Sequence, residues 1–194
     1  VVDRDVTVKI NSPGGDMFEG IAIYNLLRGH PARVTVEVMG WAASAASIIA
    51  MAGDEIRMGL GTFMMVHNAW GVVIGNRHDM RDAADLFDGF DAAIADIYEA
   101  RSGTKRAEIE KLMDAETFMG PTEAVSKGFA DVVDDGIESP SADPENTADR
   151  ALMARRQTEA ALARAGFTRD KRSELLMEMG VSAAPRDASR NPAA

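Results

Sequence analysis

The sequence predicts an α/β fold with mainly parallel strand pairing. Short β-branched runs alternate with stretches of helical periodicity, and most strand-like runs close on Gly, Pro, Asn or Ser turn chemistry. The chain has 194 residues, of which 46% are hydrophobic. That suffices for one domain of the usual ~100–200 residues and a tail.

Taking the elements in order, residues 6–10 alternate β-branched and polar side chains as a strand does, and Asn11-Ser12-Pro13-Gly14-Gly15 ends it. Met17, Ile21, Tyr24 and Leu27 form one helical stripe, which Gly29 and Pro31 stop. Residues 34–38 read as a second strand. Residues 42–52 are apolar nearly all round, as in a helix buried within a domain. A third strand is expected at 62–66 and a short β-like run at 70–75, followed by the longest helix, 79–101, with the stripe Phe87, Phe90, Ile94 and Ile97. Thr104 is placed to cap a helix through Met113, Gly120-Pro121 opens another that Gly128 closes, and 129–133 is a last strand. The domain is therefore set at 1–135. An acidic, Pro-containing linker is expected at 136–149 and an Arg-rich tail, helical or disordered, at 150–194.

Composition removes several function classes. Asp and Glu number 31 against 21 Lys and Arg, a formal net charge of −10 that repels phosphate backbones, so no nucleic-acid partner is expected. The absence of cysteine excludes disulfides, thiolate zinc sites and a cysteine nucleophile. No apolar run approaches the ~18–20 residues that span a bilayer, so no membrane partner is expected and a cytoplasmic location fits best. The start, Val1-Val2-Asp3-Arg4-Asp5, has neither an initiator Met nor a signal pattern, and the chain is expected to begin inside a longer reading frame.

Two serines stand in the small-residue stretch "GWAASAAS". A serine hydroxyl becomes a nucleophile only when a base takes its proton, so the histidines decide. His30 lies in a turn and His78 among charges at the start of the long helix, and both are expected to be exposed. His67 ends the apolar run Phe63-Met64-Met65-Val66, a strand end of the kind at which α/β folds place functional groups. Ser44 follows the second strand near a helix start, where developing negative charge is favoured. Its local chemistry fits a nucleophile and an N-cap equally well. Ser47, one turn further, is expected to be a hydroxyl satisfied within the core. Backbone N–H groups around Gly15, and the one following Ser44, are the available oxyanion donors.

The blocks "INSPGGDMFEGIAIYNLL", "GWAASAAS", "MMVHN" and "GPTEAVSKGFAD", in this order, resemble the signature blocks of the Clp protease proteolytic subunit family, ClpP, over residues 6–133. The resemblance implies a serine endopeptidase with the crotonase-like ClpP fold of repeated ββα and βαβ units and a protruding handle helix. Ser44 matches the nucleophile and His67 the general base, and Gly15 and Ala45 match the residues whose N–H groups form the oxyanion hole. Residues 71–75 and the long helix match the handle through which two rings of subunits meet. A homo-oligomeric ring, polypeptide substrates and no cofactor or metal are implied, with an AAA+ ATPase as a candidate partner.

At the third catalytic position the sequence departs from the family's Asp. Anchoring on Phe118 puts Glu116 there, and a Glu carboxylate can accept an imidazole N–H as Asp does; Asp114 is the alternative. This Glu, the "SPGGDMFEGIAIYNLL" wording and the appended acidic and Arg-rich segments are similar to ClpP-like head maturation proteases of tailed phages and prophages, which implies scaffold and capsid proteins as substrates in a host cytoplasm. The competing expectations are a housekeeping subunit served by an AAA+ unfoldase and an assembly protein of the same fold with weakened chemistry. A crotonase-type hydratase has no reason to pair Ser44 with His67. A Ser/Lys dyad finds no lysine between them.

Overall fold

Alternation of Val34, Val36 and Val38 with Thr35 and Glu37 sends three valines into the core, each at most 1% exposed, and makes their strand the centre of a six-stranded sheet. The computed structural model describes residues 4–137, 154–155, 158–159, 162, 165 and 167–179. In chain order the elements are β1 (Val6–Ser12), α1 (Met17–Arg28), β2 (Val34–Ala43), α2 (Ala45–Ala50), β3 (Glu55–Gly59), β4 (Phe63–Val66), α3 (Arg77–Ser102), α4 (Arg106–Asp114), β5 (Thr117–Met119), α5 (Pro121–Ser126), β6 (Val132–Asp134) and α6 (Arg169–Glu178). The chain divides into two units, Val1–Pro144 with the sheet and α1–α5, and Glu145–Ala194 with α6. Most of the expected linker, and the tail beyond residue 179, lie outside the described residues.

The pairing pattern determines where the site can form. β2 is parallel to β1 along one side and to β3 along the other, and further on its Trp41, Ala42 and Ala43 pair with Phe63, Met64 and Met65 of β4. β6 continues the parallel pairing beyond β3, whereas β5 runs antiparallel to β4. The carboxyl ends of β1, β2 and β4 therefore open on one edge of the sheet, and β5 begins at that same edge. This is the edge at which open parallel sheets bind their ligands.

Where β2 bends from β3 towards β4, its register with β1 shifts between Ile10 and Ser12. Asn11 fills the irregularity, its Oδ1 accepting the Trp41 N–H at 3.2 Å. A Cβ at Gly40 would meet that oxygen at 2.5 Å, so any side chain there would displace the Asn11 amide from this bond.

The stripe expected on the first helix packs as predicted, with Met17, Ile21, Tyr24 and Leu27 against the core and Asp16 capping the N–H groups of Phe18 and Glu19. Phe87 and Phe90 of the long helix are half-buried and in edge-to-face contact; Ile94 is buried, and Ile97 packs on the core.

Other expectations are corrected. The second strand runs on through Ala43, and the buried helix starts at Ala45 rather than Ala42, because pairing of Trp41–Ala43 with β4 overrides the helix propensity of alanine. β3 was not expected at all. Residues 70–75 form no strand: no ladder partner is described for them, and Val72 and Ile74 are 83% and 93% exposed. Thr104 does not cap α4. Its hydroxyl donates instead to Lys127 O at 3.0 Å, and Lys105 holds the cap position. The last strand is shifted to Val132–Asp134, and His30 is half-buried, with Nδ1 3.2 Å from Ala32 N.

Candidate active site

Each candidate side chain stands on the loop at the common edge of four neighbouring strands. β1 delivers Gly14 and Gly15, β2 delivers Ser44, β4 delivers His67, and Glu116 immediately precedes β5. The strand order therefore sets the residues side by side as glycines, hydroxyl, imidazole and carboxylate, although they are far apart in the chain.

Ser44 lies between β2 and α2 with φ 57° and ψ −127°, a backbone conformation rare for any residue with a side chain. Such strain costs about 1–3 kcal/mol and persists only where the surroundings hold it. Here the Ser44 N–H donates to Met65 O at 2.9 Å, and Ser44 O accepts from Ser47 N at 2.8 Å. Ser44 holds the N-cap position of α2, yet its side chain makes no capping bond. Its Oγ is instead 2.6 Å from His67 Nε2, the separation of a hydroxyl donating to an imidazole nitrogen. Of the two roles open to it, the hydroxyl thus makes no cap and faces the imidazole. His67 is 7% exposed, and His78 is exposed on the first turn of α3.

The β4–β5 ladder fixes where the segment of Glu116 stands. Met64 pairs with Met119, Met65 with Phe118 and Val66 with Thr117. One step further along the ladder stand His67 and Glu116. Glu116 is half-buried, with its N–H on Met113 O at 3.0 Å and φ 49°, a left-handed conformation that places the residue between the end of α4 and β5. Asp114 accepts from Nδ2 of Asn68, the residue after His67, at 2.8 Å.

The loop that carries His67 onward is held again at the next residue, where Ala69 N–H donates to Asp91 Oδ1 of α3 at 2.6 Å. Burial raises the Asp91 carboxyl above its usual range, against the lowering effect of that N–H, and the charges of Asp88 and Asp114 add to the rise. A carboxyl whose folded pKa lies above its unfolded value costs stability in full above the folded pKa and nothing below the unfolded one. Asp91→Asn keeps an oxygen for Ala69 and loses the charge. It is expected to melt higher than the parent at pH 7, with the difference vanishing near about pH 3, below the ordinary Asp pKa. Thermal melts of both proteins across that range check this.

Gly14, Gly15 and Ala45 line one cleft of about 460 Å³, while Ser44 and His67 are outside its wall. Gly15 is exposed, and a Cβ there would meet nothing within 4 Å. Gly14 is different: at φ +100°, a Cβ would lie 2.6 Å from Ala43 O, 2.7 Å from Ser44 Cβ and 3.1 Å from Ala45 N. In the sequence Gly14 reads as part of a turn. Its contact with the Ser44 segment arises only when β1 and β2 pair. Among the described residues no group of His, Asp and Glu is arranged to hold a metal ion.

A buried imidazole on a serine in a strained strand-to-helix turn, at the carboxyl edge of a parallel sheet, has the geometry of a serine-hydrolase site. A family model described as Clp protease matches residues 2–136. The chain also is 31% identical, over 135 residues, to the ATP-dependent Clp protease proteolytic subunit of Deinococcus radiodurans. That match covers 69% of this chain and 66% of the relative. The chain belongs to the Clp protease family, and its mixed α/β sheet is the fold that the family resemblance implied.

Proposed function

We propose that the chain is a serine endopeptidase acting by acyl transfer. The observation that carries this reading is the 2.6 Å separation of Ser44 Oγ and His67 Nε2. His67 takes the Ser44 proton as Oγ attacks the scissile carbonyl carbon. The resulting oxyanion is held by the N–H groups of Gly15 and Ala45, and the Glu116 carboxylate stabilises the imidazolium. His67 then gives its proton to the leaving amine, and water releases the acyl group by the same steps. No cofactor enters this scheme.

The acid is tested by Glu116→Gln, which keeps an acceptor oxygen and removes the charge. The expected result is a fall in kcat of more than ~10-fold at unchanged fold, measured by peptide hydrolysis and circular dichroism. Wild-type activity in that variant moves the role to Asp114.

The finer reading is maturation of phage or prophage heads by cleavage of scaffold and capsid proteins in the host cytoplasm. It is supported by Glu116 in place of Asp and by the acidic and Arg-rich segments after residue 135. Assembly as a homo-oligomeric ring is supported by the exposed Trp70, Val72 and Ile74 beside the long helix α3, apolar surface that a neighbouring subunit would cover. The second reading, a housekeeping subunit fed by an AAA+ unfoldase, is favoured by the name of the Deinococcus relative, which is ATP-dependent. Incubating the purified chain with folded scaffold protein, without any ATPase, separates the two. Cleavage at discrete sites supports maturation, and cleavage only of unfolded substrate supports the second.

A further inference from the structure

Ser47 is fully buried, and its hydroxyl lies 2.6 Å from Ser44 O and 2.8 Å from the Tyr98 hydroxyl of α3. The direction of these bonds follows from proton counting. A carbonyl oxygen only accepts, so the single Ser47 proton goes to Ser44 O. Ser47 Oγ then has only lone pairs to offer, and Tyr98 must be the donor to it. Tyr98 is 1% exposed, and burial pushes its phenol well above the ordinary range, so it keeps the proton it donates.

The carbonyl at the end of this chain belongs to the peptide linking Ser44 to Ala45. That unit is planar and trans, so its C=O and N–H point in opposite directions. Three donors hold the oxygen on the core side: Ser47 N at 2.8 Å, Ser47 Oγ at 2.6 Å and Ile48 N at 3.3 Å. The Ala45 N–H is thereby turned away from Ser47 and Tyr98. The absent Cβ of Gly14, whose position is 3.1 Å from Ala45 N, leaves an open approach to that nitrogen. Hydrogen bonds accepted by an amide oxygen also polarise its N–H and make it a stronger donor.

We propose that Ser47 and Tyr98 are positioning residues that aim and polarise the Ala45 N–H for the oxyanion, an inference that rests on the reading of Ser44 as nucleophile and Ala45 as donor. No proton crosses the Tyr98–Ser47–Ser44 relay during the reaction. It holds one peptide plane, and with it the strained ψ of Ser44, against rotation. Ser47 thus contributes more than a satisfied core hydroxyl.

The test is inactivation by a fluorophosphonate, whose phosphoryl oxygen enters the oxyanion position as Ser44 attacks phosphorus and the fluoride leaves. The maximal inactivation rate and the half-saturating concentration are measured for the wild type, Ser47→Ala, Tyr98→Phe and the double variant, with a thermal melt of each. Ser47→Ala strands the buried Tyr98 hydroxyl and should melt lower; the double variant removes both partners and should regain much of that loss. The maximal rate should fall ~10-fold in both, less than the ~10²–10³ for deleting an oxyanion donor outright, with the half-saturating concentration within about twofold. Tyr98→Phe alone should lose about threefold. A double variant at the wild-type rate, or a rate that recovers in step with the melting temperature, overturns the relay alone. A wild type that takes no label overturns the Ser44 reading and the relay with it.

Discussion

Ser44→Ala is expected to lower kcat by at least ~10³-fold while leaving the fold and peptide affinity intact. The expectation follows from what the change removes. Ser44 Oγ is the atom 2.6 Å from His67 Nε2, and the hydroxyl makes no capping bond on which α2 depends. The bonds that hold this turn are backbone ones, to Met65 O and from Ser47 N, and alanine keeps both. Loss of activity without loss of melting temperature is therefore the signature to look for. A parallel loss of both would mean that Ser44 serves the turn rather than the chemistry.

The second large effect is expected at Gly14. An added methyl would be driven against Ala43 O at 2.6 Å and Ser44 Cβ at 2.7 Å, and φ +100° is itself unfavourable for alanine. Neither obstacle is the end of a flexible side chain, so the strand-to-helix turn that carries Ser44 must shift. A displacement of about 1 Å at a reacting group costs on the order of 10²-fold in rate. Gly14→Ala should therefore lose at least ~10²-fold in kcat and melt lower than the parent. Gly15→Ala is the control: its Cβ meets nothing within 4 Å, so the melting temperature should hold. Equal melting temperature and activity for Gly14→Ala would show that β1 does not press on the nucleophile segment.

The contrast between these glycines marks what the sequence could and could not reveal. Both stand in one turn motif, and nothing local distinguishes them. The difference arises because β1 and β2 pair in parallel and bring Gly14 against a residue thirty positions away. Ser47 and Tyr98 are separated further still, by 51 residues, and Ser47 alone could be read only as a satisfied core hydroxyl.

Candidate residues next to strand ends are more legible in the sequence. His67 stands out because it closes an apolar β-run, and Glu116 because Phe118 anchors its block. In the ladder Phe118 pairs with Met65, and Glu116 precedes the last pair, Thr117 with Val66. Some elements take their state from their partners. Ala42 and Ala43 have the propensity of a helix but extend β2 because β4 pairs with them. β3 is different: Glu55, Ile56, Arg57 and Met58 alternate with period two, so its signal is present in the chain.

The central claim is that one hydroxyl, on Ser44, is activated by His67. Labelling the intact protein with a fluorophosphonate, followed by peptide mapping of the adduct, tests it most directly. The account predicts a single adduct on Ser44, with none in Ser44→Ala. An adduct on Ser47, or labelling that survives in Ser44→Ala, would contradict it.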